Sequence, residues 1–281
     1  MSNCYDSKRD AALTFKPINP RNAIQEMVFM VNLSRPLLER EAEAIKAIHG
    51  ELAAELPRLR MINSLQITTN PNQELPAAPF EMLRFRTDGT VSRRLSVGQN
   101  RIVVNELEYT RWNEISATAL RLLRRATLVS VSGVSSPPPT PLAIRSLALQ
   151  VLDRFAWEGD DTTFNLSQAL SQPNERLPSA VWTATDTWTS TYQFTKREKG
   201  RSFVDRTTFS VGKFPPDKRI KVQIDNVQDC QFGMLVEPSV LMAEDAPELK
   251  NIFDDLHDRN KKLLRSSLTS FLVDSIGLNN A

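Results

Sequence analysis

The sequence is poor in the residues that most enzymes use for chemistry. It has two histidines, His49 and His257, and two cysteines, Cys4 and Cys230, in 281 residues. Two cysteines build no disulfide framework, and a four-cysteine zinc site is excluded. Only nine glycines are present. None falls in a Gly-x-Gly-x-x-Gly or Walker pattern, so the common phosphate cradles are missing. There is no Gly-x-Ser-x-Gly, and neither cysteine sits in a catalytic-looking context. No apolar run reaches the roughly 18 residues of a membrane span, and the N-terminal stretch lacks the apolar centre of a leader. The formal charge is only +2, so no global field advertises nucleic acid or a membrane. The expectation is a cytoplasmic protein without cofactor or metal.

What is present is a strand-rich pattern with a few helices. The hydrophobic fraction of 41% is ample for a buried core. "IQEMVFMVNL", 24–33, is apolar on both parities and reads as a strand covered on both sides. A helix follows, with a stripe of Leu38, Ala42, Ile45, Ile48, Leu52 and Leu56 at three- and four-residue spacings. His49 lies on that stripe and reads as a core or core-edge residue. "FEMLRFRT", the Asp88-Gly89 turn, "VSRRLSV" and "RIVVNEL" make an antiparallel meander. A helix with Trp112, Ile115, Ala119, Leu122 and Leu123 on one face closes it. Its basic group, Arg121, Arg124 and Arg125, suits the negative end of the helix dipole, which makes nucleic acid an unlikely partner. "SSPPPTP", 135–141, reads as a stiff connector.

The second half repeats the style. "LALQVLDRFAW" alternates, 158–179 is polar and irregular, and "VWTATDTWTSTYQFT", 181–195, reads as one strand. Its threonines would face solvent, and its aromatic parity would face inward. "KREKGR" turns the chain, "RIKVQIDNV" and "CQFGMLVE" add strands, and a long helix runs from about Asp245 to Ile276. The predicted architecture is α+β in two lobes, each an antiparallel meander with helices on one face. An N-terminal arm spans 1–22, the first lobe 23–134, the connector 135–141, and the second lobe 142–281.

Two places invite a chemical reading. In "IFDDLHDRNKKLLRSSL", His257 stands among Asp254, Asp255 and Asp258, yet zinc would need another strong ligand and the other histidine is far away in sequence. A helix wheel puts His257 at the edge of the apolar face, with Asn260 and Ser267 inside it. Asp186 interrupts the aromatic parity of the threonine strand, where a buried carboxylate needs a partner or a raised pKa. Together Trp182, Asp186, Trp188, Tyr192, His257 and Asn260 are candidates for lining a small-ligand pocket between the second sheet and the closing helix. No catalytic residue is assigned.

The chain also resembles a sporadically distributed, uncharacterised family of bacterial proteins of about this length. The marks are an Ile-x-Glu opening strand (Ile24, Glu26), a hairpin followed by Asn105, Tyr109 and Trp112, a strand ending in Asp153-Arg154, and a closing helix carrying His257. Gln150 and Val151 depart from the Arg and Tyr usual in that family, and Leu264 replaces its Phe. The resemblance implies a bacterial cytoplasmic protein, and its patchy occurrence implies defence or toxin-neutralising loci. The expected function is a non-enzymatic binding or adaptor protein whose partner is another protein or a second copy; the alternative is the small-ligand binder.

Overall fold

The structure, a computed structural model, describes residues 15–19, 22–62, 77–98, 100–133, 140–184, 187–214 and 218–280. Asp186, most of the arm and residues 135–139 of the connector lie outside them.

The strands are β1 (Phe15–Pro17), β2 (Ile24–Leu33), β3 (Arg58–Met61), β4 (Phe80–Phe85) and β5 (Val91–Val97). They continue as β6 (Arg101–Glu106), β7 (Ile144–Trp157), β8 (Trp188–Glu198), β9 (Arg201–Lys213) and β10 (Ile220–Val236). The longer helices are α1 (Glu39–Ala47), α3 (Trp112–Ser132) and α5 (Glu248–Ser267); α2 (His49–Leu52), α4 (Pro238–Leu241) and α6 (Ser270–Ser275) are short. The α+β reading therefore holds, with a large antiparallel sheet.

The sequence suggests two separate meanders, one per lobe. Instead all ten strands join one sheet in the order β3-β4-β5-β6-β2-β7-β10-β9-β8, with β1 added beside β7. The join is β2 against β7, where Met27 pairs Val151 and Phe29 pairs Leu149. β2 is apolar on both parities, whereas β7 sets Leu147, Leu149 and Val151 on one parity against Ser146, Gln150 and Arg154 on the other.

One face of this sheet carries the core. Met27, Phe29 and Val31 of β2, Leu147, Leu149 and Val151 of β7, and the apolar stripes of α1, α3 and the first half of α5 form one cluster. Phe155, Trp157, Phe209, Val222 and Ile224 form a second cluster with Leu263, Leu264 and Leu272. In α1, the fully buried Glu41 accepts from the Leu38 backbone N–H at 2.8 Å and pairs with Arg35 at 2.6 Å, so it caps the helix and neutralises its own charge.

Three sequence expectations are corrected here. The closing helix stops at Ser267, because Leu268 turns extended and bridges Leu170 while the Ser171 and Thr269 N–H groups bond Ser267 and Ala169 carbonyls. Phe271, beyond the break, is exposed. The threonine strand begins only at Trp188, since Ser179–Thr183 is a 3-10 turn. "RIKVQIDNV" and "CQFGMLVE" are one uninterrupted strand, β10. The β8–β9 hairpin follows the sequence reading, with Lys199 and Gly200 both at positive φ, as a type I′ turn requires.

The basic group of α3 has local partners. Arg121 bonds Glu55, Arg125 bonds Glu51 at 2.7 Å, and Arg124 donates to the Ala246 carbonyl at 2.9 Å. His49 is also structural, its Nε2 lying 3.1 Å from the Leu56 carbonyl.

Candidate functional site

The interior holds a polar belt between the two apolar clusters. Along β9, Asp205 and Thr207 lie between Phe203 of the first cluster and Phe209 of the second; along β10, Gln228 and Asn226 lie between Cys230 and Ile224. Cross-strand pairing puts these four residues on the core face. Asn226 donates to Asp205 and Thr207 at 2.8 Å each, and Gln228 donates to Asn226 at 3.0 Å. The belt continues on β7 as Asp153, between Val151 and Phe155, and on α5 as His257 and Asn260, between Leu256 and Leu263.

The two ends of the belt differ. Asp205, Thr207, Asn226 and Gln228 bond one another. Asp153 is 1% exposed and neither of its oxygens has a hydrogen-bond partner. Burial alone pushes its carboxyl up to about 7. The Asn260 Oδ1 is likewise unpartnered, at 3% exposure. Burial, then the Asp153 carboxylate, raise the pKa of the nearby Tyr109 phenol.

His257 answers the question its sequence raises. It is 7% exposed, and its ring stacks on Trp112 with centroids 3.9 Å apart and planes within 2°. Trp112 also stacks with Phe29 at 5.6 Å, and its indole Nε1 donates to Asp254 at 2.8 Å. The aspartate beside His257 in sequence is thus engaged by the tryptophan. Burial, with Lys261 adding to it, holds the imidazole down at about 4, so it is neutral at physiological pH. Among the described residues no group of three or more His, Cys, Asp or Glu is placed to hold a metal ion. The Cys230 thiol is pushed up to about 11, chiefly by burial, and is no nucleophile there.

The family-like residues separate onto two faces. Tyr109, Trp112, Asp153 and His257 belong to the core side just described. Glu26 and Asn105 belong to a charged ladder across the opposite face: Asn105 donates to Glu26 at 2.6 Å, Arg94 lies 3.6 Å from Glu26 and 3.4 Å from Glu81, and Arg60 closes on Glu81. Arg154, also on that face, donates to Gln223 at 2.7 Å. Asn105→Ala removes the amide that holds Glu26 and leaves its buried neighbourhood short of a donor. The expected loss is about 1–2 kcal/mol, read from urea unfolding.

Five of the six pocket candidates are described, Asp186 lying outside the described residues, and these five are spread along the sheet and α5. Trp182 and Trp188 are half-buried against the second cluster, while Tyr192 and Phe194 are 36% and 38% exposed. The aromatic parity of the threonine strand therefore does not face inward beyond Trp188. β8 is the last strand of the sheet, and α5 covers β7 and β10 and meets the turn end of the β8–β9 ribbon, where Arg259 pairs with Glu198 at 2.7 Å and lies over Phe203 and Glu248 pairs with Arg201. His257 borders a cleft of about 380 Å³ between α3 and α5, with Trp112, Lys250 and Lys261. A larger cleft of about 590 Å³ is bordered by Asn19, Gln25, Arg86 and Tyr109.

The belt was the part that sequence reasoning missed. Its signal was present: Asp205 and Thr207 share the parity of Phe203 and Phe209, and Asn226 and Gln228 that of Ile224 and Cys230.

The last feature is the outer edge of β8. Among the described residues this strand is hydrogen-bonded to β9 alone, and seven consecutive residues, Thr191 to Arg197, are exposed. It contains no proline, glycine or bulge in its pairing with β9. No helix of the described residues is long and apolar enough to cross a membrane. No protein-family model matches the chain, and no curated protein matches it.

Proposed function

We propose that this chain is a non-enzymatic binding protein that takes an extended polypeptide segment along the free edge of β8. The observation that carries the reading is the exposed run Thr191 to Arg197 on a long terminal strand. A flat, regular edge presents unpaired N–H and C=O groups, and folded proteins normally shorten, bulge or cover such an edge. Here Lys196, Arg197 and Glu198 guard only one end, while Tyr192 and Phe194 add apolar area beside the open backbone. Strand addition draws affinity from main-chain hydrogen bonds and selectivity from alternate side chains. In the bacterial defence or toxin-neutralising setting that the family resemblance implies, the occupant is a protein.

The test is affinity capture from the native host with the wild-type chain and with a Y192K/F194K variant. Both side chains are exposed, so the variant should fold with an unchanged melting curve. Specific capture by the wild type, lost in the variant, is the expected result. Equal capture by both would remove β8 from the function.

A further inference from the structure

We infer that the segment seated on β8 is the β8 of a second copy of this chain, paired antiparallel about a two-fold axis through Gln193. This rests on the reading of β8 as a docking edge and names its occupant.

The exposed run contains Thr191-Tyr192-Gln193-Phe194-Thr195, which reads nearly the same in both directions. An isologous interface brings each patch against itself, so its sequence must be self-complementary about the axis. Antiparallel pairing centred on Gln193 sets Tyr192 opposite Phe194 of the other copy, twice, and Thr191 opposite Thr195, twice. Tyr192 and Phe194 lie opposite Thr207 and Asp205 of β9 and so share the core-side face; Thr191 and Thr195 share the other. An axis perpendicular to the sheet preserves both faces. Aromatic and threonine pairs across strands are favourable pairings, and this ribbon already uses them. The Thr191 and Thr208 hydroxyls are 3.0 Å apart, and the Tyr192 and Phe194 rings are 5.9 Å apart.

Charge fixes the orientation. Lys196, Arg197 and Glu198 cluster at one end of β8. The two-fold carries them to opposite ends of the ribbon, where Lys196 faces Ser190, Arg197 faces Thr189 and Glu198 faces Trp188. Each cation thus meets a hydroxyl acceptor. A parallel pairing in register would set Lys196 on Lys196 and Arg197 on Arg197. The closed pair also removes both β8 edges, so association through β8 ends at a dimer and does not run on into a fibre.

The axis makes a specific prediction. A residue on it faces its own copy, with Cα atoms about 4.5–5.5 Å apart, within the roughly 4.4–6.8 Å that a disulfide spans. In a Cys4→Ser background, where Cys230 is buried, Gln193→Cys should give a disulfide-linked dimer under mild oxidation. Thr189→Cys is the control, because its two copies would lie roughly 26 Å apart along the ribbon. Light scattering of the wild type should show a concentration-dependent dimer. Y192K/F194K and Y192E/F194E should each be monomeric, because like charges then face each other, and mixing them should restore the dimer. A wild-type monomer at every concentration, with Q193C linked no better than T189C, would overturn the inference. If the charge variants then still lose a captured heterologous partner, the docking edge stands without self-pairing. If they lose nothing, both readings fall.

Discussion

Asp153→Asn is expected to raise the unfolding free energy above pH 7 by on the order of 4 kcal/mol and to leave it nearly unchanged below pH 4. The folded carboxyl titrates near 7 because burial disfavours its charge, whereas an unfolded one titrates near 3.8. Between those values the unfolded chain has released a proton that the folded chain retains, so stability falls as pH rises through the window. The asparagine amide replaces a protonated acid of similar size in a site that offers neither a partner, so its own cost is small. Urea unfolding of both proteins across pH reads the difference. A constant offset between them would mean that Asp153 is solvated or paired.

His257 works in the opposite sense. Its folded value is about 4 against 6.5 for the free group, so between them the unfolded chain binds a proton that the folded chain refuses. Its contribution is fully present above 6.5 and is lost as pH falls through 4, a change of about 3 kcal/mol. The two windows overlap and their slopes oppose, so the wild type should be almost level from about 4 to 6.5 as far as these groups decide it. Asp153→Asn should unmask a rise with pH, and His257→Gln a fall.

Trp112→Ala carries the second large effect. The indole is stacked with Phe29 and His257 and bonds Asp254, so it ties α3, β2 and α5 at one point. Deleting a large aromatic from such a junction costs about 3–5 kcal/mol. The same change opens His257 to water. Its pKa should then climb back toward the ordinary range, followed by NMR titration of the imidazole. A large loss of stability with the His257 value still near 4 would show that burial by other residues controls the histidine.

The sequence made the elements easier to read than their assembly. Period-two alternation in β4 to β6 and the Asp88-Gly89 and Lys199-Gly200 turns fix strands and hairpins locally, and the α3 stripe fixes its buried face. The joining of β2 to β7 depends on residues far apart in the chain, which no local period encodes. The break after Ser267 comes from backbone bonds to residues 169–171, again nonlocal. At the site, the wheel already places Asn260 inside the apolar face of α5, where it is buried, whereas the depth of His257 and Asp153 was not legible. His257 looked like a helix-edge group because its cover, Trp112, comes from another helix. Tyr192 and Phe194 looked inward because alternation reports which residues share a face, and only topology reveals that β8 is terminal.

The claim at the centre of this account is that β8 is where the protein binds. Amide hydrogen exchange, recorded on the chain alone at low concentration and again with its partner or at high concentration, tests it most directly. The account predicts new protection concentrated between Thr189 and Arg197, with the α3–α5 cleft and the ladder of Glu26, Glu81 and Arg94 unchanged. Protection that appears at the cleft or the ladder while β8 exchanges as freely as before would contradict it.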